Sequence, residues 1–280
     1  LARGGSSMES RATAARAAGI LRAAAAVPDL VEATRSRNTE VIYEALIAIQ
    51  KIRDKSAGPQ IAFLLGDLDE GVQIAAIETT GVLQNFDALP RLYKVLYETR
   101  SKKVRRAALT SIAMMPREEN RTYYNQFIQN KDTDLRAAAA EGFGRLASPA
   151  DVKMMEAYFQ SEKKMEPRLS MAFALVKMGQ TELTEFSPLR YLINTLNSSS
   201  YNGVARPFLV ELAREDAARE SIHQALPGAT TQEKLHLAAV LGASGDATSV
   251  PHLETLSRDP DPRVGMEAVR ALQILRARVN

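Results

Sequence analysis

Gly19-Ile20-Leu21, followed by Val27-Pro28-Asp29-Leu30, recurs as Gly81-Val82-Leu83, followed by Leu89-Pro90-Arg91-Leu92. Each residue of the second copy lies 62 positions after its counterpart, which is two units of 31. Pro28, Pro59 and Pro90 mark the single step, and Gly242 with Pro251 repeats the Gly-to-Pro spacing. Self-similarity at a period of about 20–50 residues indicates stacked repeats. A second landmark follows, a Val or Leu that opens an Ala-rich run: Val41, Val72, Val104, Leu135, Leu169, Val204, Leu235 and Val264. A degenerate copy begins near Ser10, so about nine copies of one unit fill the chain.

After each anchor, apolar or small residues recur at helical spacing, as in Val104, Ala107, Ala108, Ser111 and Ile112. The segment after each proline carries a similar stripe. Each unit therefore reads as two helices, A then B, joined by a short turn. Ser148-Pro149, Ser187-Pro188 and Asp261-Pro262 place a capping residue before a proline at the first helical position. Thr230 with Glu233 reads as a capping box. Gly19, Gly81, Gly144, Gly179 and Gly245 fall where B helices should end and are expected as left-handed caps. Four residues after the anchor stand Ala14, Ala45, Ala76, Ala108, Ala139, Ala239 and Ala268. A small residue at one fixed place lets neighbouring helices approach closely, as stacked repeats require.

The last unit carries Gly242-Ala-Ser-Gly-Asp246, Val250-Pro251-His-Leu253, Asp259-Pro-Asp261-Pro-Arg263-Val264 and Glu267-Ala268-Val-Arg-Ala271-Leu272. In these residues the chain resembles HEAT-repeat proteins of the short, phycobilisome-lyase-type HEAT-like class. The resemblance implies an all-α, right-handed α-α superhelical solenoid of about eight to nine helix pairs. It further implies a ladder between units from the turn Asp and the following Arg, matched by Asp132, Asp134 and Arg136 and by Asp259, Asp261 and Arg263. A tetratricopeptide array fits less well, because its period is about 34 and its Trp/Gly/Tyr signature is absent.

Residues 8–280 read as one such solenoid, and 1–7 as a linker or scar before a start at Met8. The units around 165–215 are irregular. There Phe173 and Phe208 replace the small residue, unless an adjacent register puts Ala172 or Ala174 in the first place. Asn197-Ser-Ser-Ser-Tyr201-Asn-Gly203 is the most loop-like interior stretch, open to reading as an exposed loop or as a binding loop or hinge. Pro207 is expected to delay the start of its helix.

The 280 residues hold 36 basic and 33 acidic side chains, a net +3 that is weak for a nucleic-acid binder. The absence of cysteine excludes disulfides, zinc–thiolate sites, iron–sulfur clusters and thiol catalysis, and fits an exported protein slightly better than a cytosolic one. No run of eighteen apolar residues occurs, so no membrane-spanning helix is expected. No Walker-type loop or Gly-x-Ser-x-Gly is present. Carboxylate pairs such as Asp67/Asp69 and Glu118/Glu119 fall in turns, where solvated caps are the ordinary reading. His223 and His252 occupy equivalent places on successive A helices, too far apart to share a metal.

These features point to a non-catalytic protein-interaction scaffold, with no cofactor or metal and with another protein as partner. Its surface would be the concave column just after each anchor: Gln73, Arg105, Arg136, Ser170 and His236. Tyr201 and the basic cluster Arg100, Lys102, Lys103, Arg105 and Arg106 complete the candidate set. Cations at a helix N-terminus oppose the helix dipole, so helix stability does not explain the cluster. It supports a second reading, nucleic-acid or polyanion binding. The resemblance leaves a third, a phycobilin-lyase-like enzyme. Tyr93, Tyr97, Tyr123, Tyr124 and Phe127 are expected on the core side of A helices with hydroxyls in solvent, or as an aromatic contact patch. The C-terminal helix keeps an apolar stripe to its end, which would allow self-association there.

Overall fold

The computed structural model describes residues 7–279. Of the expected linker only Ser7 falls among them, and it caps the first helix by accepting the Ser10 N–H at 3.1 Å. Seventeen α-helices and no strand occur among the described residues. Contacts divide the chain into two units, one ending at Asn130 and the other starting at Lys131. The first holds α1 (Met8–Ile20), then α2 (Val27–Ala33) and α3 (Thr39–Ile52), α4 (Gly58–Ile61) and α5 (Glu70–Val82), α6 (Leu89–Glu98) and α7 (Lys102–Ala113), and α8 (Arg121–Phe127). The second holds α9 (Thr133–Leu146), then α10 (Val152–Ser161) and α11 (Met165–Lys177), α12 (Pro188–Thr195) and α13 (Asn202–Leu212), α14 (Asp216–Ala225) and α15 (Thr231–Ser244), α16 (Val250–Leu256) and α17 (Pro262–Val279). Odd-numbered helices are the B helices, and within each unit successive ones pack side by side.

The A helices begin as the prolines suggest. Pro28, Pro59, Pro90 and Pro251 sit in the first turn of α2, α4, α6 and α16, where the N–H they lack would have no intrahelical acceptor. The B helices start on one repeated device. Asn38, Asp69, Ser101, Asp132 and Thr230 each accept the N–H of the third residue on. Two residues before the cap, Ser36, Asp67, Thr99, Glu162 or Asp259 accepts the N–H of the capping residue. The capping box of Thr230 and Glu233 is formed. In the last turn, the Arg263 guanidinium and its backbone N–H lower the Asp261 carboxyl to about 2.

These caps fix the register. Val41, Val72, Val104, Leu135, Val204 and Val264 stand three residues after a capping position. In α11 and α15 that place belongs to Pro167 and Glu233, not to Leu169 and Leu235. The fourth residue beyond is then Met171 rather than Phe173, while Phe208 keeps its place. Leu237, fully buried, replaces the half-exposed Ala239.

The expected glycine caps need correction. Among the five, only Gly179 has a left-handed backbone, at φ 103°. Gly19, Gly81 and Gly144 lie inside the last turn of their helices, and Gly245 is extended. The left-handed turns are taken by Arg22, Arg53, Gln84 and Ala147. The helical glycines serve close approach instead. A Cβ on Gly19, Gly81, Gly144 or Gly242 would lie 2.7–2.8 Å from the Cα of Ala48, Ser111, Ala174 or Ala271 on the next B helix. Hydroxyls at these crossings bond across them: Ser111 Oγ donates to the Ile77 carbonyl at 2.7 Å, and Thr79 Oγ1 to the Leu46 carbonyl at 3.4 Å.

Pro207 also departs from expectation, lying inside α13 rather than delaying it. Its missing N–H would have paired with the carbonyl of Gly203, an exposed residue in the first turn, where water can serve that oxygen.

The crossings yield a prediction of opposite signs. Gly144→Ala, which meets backbone, should lose about 1–3 kcal/mol of stability in urea unfolding. Gly203→Ala, with nothing within 4 Å, should be neutral or gain up to about 1 kcal/mol.

Candidate functional site

The column after each anchor performs a structural task. Gln73 Nε2 donates to the Leu65 carbonyl at 2.9 Å. Arg105 reaches the Leu96 and Thr99 carbonyls at 3.3 and 2.7 Å. Arg136 Nη1 reaches the Lys131 carbonyl at 3.3 Å, and its Nε and Nη2 bond the Glu162 carboxylate at 2.7 and 3.2 Å. Each side chain thus serves carbonyls left unpaired at the end of its own A segment. In the corrected register the corresponding residues of α11 and α15 are Arg168 and Lys234, not Ser170 and His236. Lys234 Nζ bonds Asp259 at 2.8 Å. Ser170 is buried and donates to Glu141 at 3.3 Å. His236 is half-buried, and burial with the Arg206 charge lowers its pKa.

The expected ladder is therefore built differently. Arg136–Glu162 and Lys234–Asp259 run between successive helix pairs, whereas Arg263 pairs with Asp261 of its own turn.

The basic cluster divides. Arg105 is spent on the α6 carbonyls, and Lys103 lies 3.7 Å from Glu70. Arg100 and Lys102 are exposed, and Arg106 is half-buried. Tyr201 is half-buried at the start of α13. The stretch before it is tethered, because Asn197 donates to Glu233 at 2.8 Å and accepts from Thr230 Oγ1 at 2.6 Å.

The aromatic expectation splits as well. Tyr124 and Phe127 are core, and the Tyr124 hydroxyl donates to the buried Ile112 carbonyl rather than reaching solvent. Tyr93 and Tyr123 stack at 4.6 Å, with Tyr97 tilted against them at 5.9 Å. The Tyr93 and Tyr97 hydroxyls donate to Asn120 and Gln126.

Beside these residues, α6 and the 3-10 turn Ala62–Gly66 enclose a cleft of about 520 Å³. Phe63, Leu65 and Val95 supply its apolar wall, and Gln73, Lys94 and Glu98 its polar one. Phe63 is 45% exposed, with the Arg35 guanidinium 5.4 Å from its ring. Thr99 also lines the cleft, and the exposed Arg100 follows it directly.

The irregular helices hold a buried charge cluster that the sequence reading did not single out. Arg145 bonds Glu211 at 3.0 and 2.9 Å and Glu141 at 3.1 Å. Its guanidinium also lies over Phe173, which stacks on Phe208 at 4.9 Å. Burial raises the Glu141 pKa against the pull of Arg145. Two carboxylates against one guanidinium with aromatic walls make a structural fork. Contrary to the separation expected from helix spacing, the His223 and His252 rings stack face to face at 4.1 Å, because both side chains reach into the gap between their helices, and His223 Nε2 pairs with Ser249 Oγ at 2.9 Å. Burial, and then the His252 charge, lowers the His223 pKa. Among the described residues no group of three His, Asp or Glu side chains is arranged to hold a metal, and no helix is long and apolar enough to cross a membrane.

The geometry defines an array of stacked helix pairs, and the comparisons place it among HEAT-repeat folds. The family model for HEAT repeats matches residues 89–176. The structure of the complex of CpcE and CpcF of phycocyanin lyase from Nostoc sp. PCC7120 is similar, with TM-score 0.57 and 19% identity over 89% of this chain and 92% of that one. Human deoxyhypusine hydroxylase in complex with glycerol aligns at TM-score 0.40 and 18% identity, over 90% of this chain and 96% of that one. No curated protein matches by sequence. The fold is thus the all-α HEAT-like solenoid that the repeats imply.

Two substitutions test the division of roles. Arg105→Ala, which strips donors from the end of α6, should cost about 1–2 kcal/mol in chemical denaturation, whereas Lys102→Ala should stay within about 0.5 kcal/mol of wild type. Arg145→Met should cost roughly 2–4 kcal/mol at pH 7, because it leaves two mostly buried carboxylates facing each other. Without the guanidinium, Glu141 is held protonated still more readily in the folded chain. Stability of the variant should therefore fall as pH rises through the carboxylate range and partly recover near pH 5, read as melting temperature against pH.

Proposed function

We propose that the protein is a non-catalytic protein-interaction scaffold. The observation that carries this reading is the cleft of the first unit, where the partly exposed Phe63 ring and Val95 stand beside Lys94, with Arg100 and Lys102 exposed close by in sequence. Its occupant would be an apolar side chain of a partner protein, with an acidic neighbour for the cations. An exposed aromatic ring in a concave site with a charged rim suits such an anchor. Gln73, one of the candidate residues, lines this cleft, whereas Arg105 and Arg136 donate to carbonyls of their own turns. That the similar lyase structure is a complex of two chains supports a protein as the partner.

Affinity capture from the source lysate tests the proposal, with nuclease and a salt step, using the wild type and Phe63→Asp. A discrete protein should survive nuclease on the wild type and be retained at least tenfold less by the variant. Nucleic acid that elutes at moderate salt would move the function to Arg100 and Lys102 as a polyanion site. A protein retained equally by both would remove the cleft from the proposal.

A further inference from the structure

Arg168 breaks the pattern of its column. Gln73, Arg105, Arg136 and Lys234 all have carbonyl or carboxylate acceptors. The Arg168 guanidinium has none among the described residues, and its Nε is buried without a hydrogen-bond partner. The Glu162 carboxylate of the preceding turn is bonded by Arg136 through both oxygens and by the Lys164 N–H. Arg168 is instead held between rings, 5.1 Å from the centre of Phe159 and 4.9 Å from that of Tyr191. This fixes the cation's direction without satisfying its donors.

Arg168 lines a cleft of about 370 Å³. Phe159, Leu175, Phe186 and Pro188 form its apolar walls. Phe186 is 84% exposed, an apolar ring that lines the cleft and stands largely in solvent. The remaining acid of the cleft, Glu156, is tied by Gln180 Nε2 and makes no ion pair with Arg168. A cation without a carboxylate partner, aromatic walls and an exposed ring suit a ligand with one anionic end and an apolar body. The planar fork of arginine matches a carboxylate in particular.

We propose that this cleft is a binding site for an organic monocarboxylate with a compact apolar or aromatic body, its carboxylate on Arg168 and its body against Phe159, Pro188 and Phe186. The site does not rest on the scaffold reading, since it uses other residues and a different class of ligand. Bound, the carboxylate would accept from the one member of the column that the fold leaves unpaired. The apolar body would remove the Phe186 ring from water.

The probe is phenylacetate, titrated by calorimetry and ligand-observed NMR against the full chain, with neutral phenylacetamide in parallel. Saturable binding of phenylacetate is expected, with the amide at least tenfold weaker. Arg168→Gln should weaken the acid tenfold or more and leave the amide unchanged. Phe186→Ser, at a side chain so exposed that the fold is indifferent to it, should weaken both acid and amide several-fold. Circular dichroism and melting of each variant confirm that the chain is folded. No saturable binding of phenylacetate to the wild type at millimolar concentration would overturn the proposal. So would equal affinity for acid and amide, or an Arg168→Gln variant that binds like the wild type.

Discussion

The backbone of one B helix must come within a missing Cβ of the next, and much of this architecture follows from that approach. At four crossings the contact is Gly on one helix against Ala or Ser on its neighbour, always twelve residues past one cap and ten past the next. At that distance no methyl group fits, so helix propensity yields to packing and glycine is retained inside a helix where it is locally unfavourable. The buried hydroxyls of Thr79 and Ser111 exploit the same proximity and reach carbonyls of the preceding helix.

The turns between A and B helices obey a second constraint, that carbonyls at an A-segment end need donors. Here Gln73, Arg105 and Arg136 serve a neighbour rather than the solvent. An evenly spaced column of polar residues therefore looks like a binding surface in sequence and is largely internal support in space. Exposure and function separate at this point. Phe63 and Phe186 are among the apolar side chains that the fold leaves exposed, and the Arg168 Nε is buried without an acceptor.

The repeat period, helical character and most anchors were legible because a two-helix unit imposes one spacing on apolar residues. The register failed at two places for one reason: the anchor position held Pro167 and Glu233, which an apolar pattern passes over. The slip put Ser170 in the column that Arg168 occupies and His236 in the column of Lys234, and so hid the member of the column whose buried Nε has no acceptor. The glycines were misread because a helix-end cap and a close crossing call for the same residue at nearly the same place, and only the path of the next helix separates them. The fork of Arg145 could not be read at all. Glu211 lies 66 positions away, beyond the reach of a pattern of local spacing.

That reach has a consequence for how such a chain can change. A typical turn here is served by its own unit or the next, so a 31-residue module could be gained or lost while neighbouring modules kept their hydrogen bonds. Arg145 of α9 holds Glu211 of α13 across α11, whose Phe173 ring lies under the same guanidinium. The segment between them cannot be duplicated or excised without stranding charge at both ends. The middle of the second unit is thus the part of the repeat array least free to vary in length, although its sequence is the least regular.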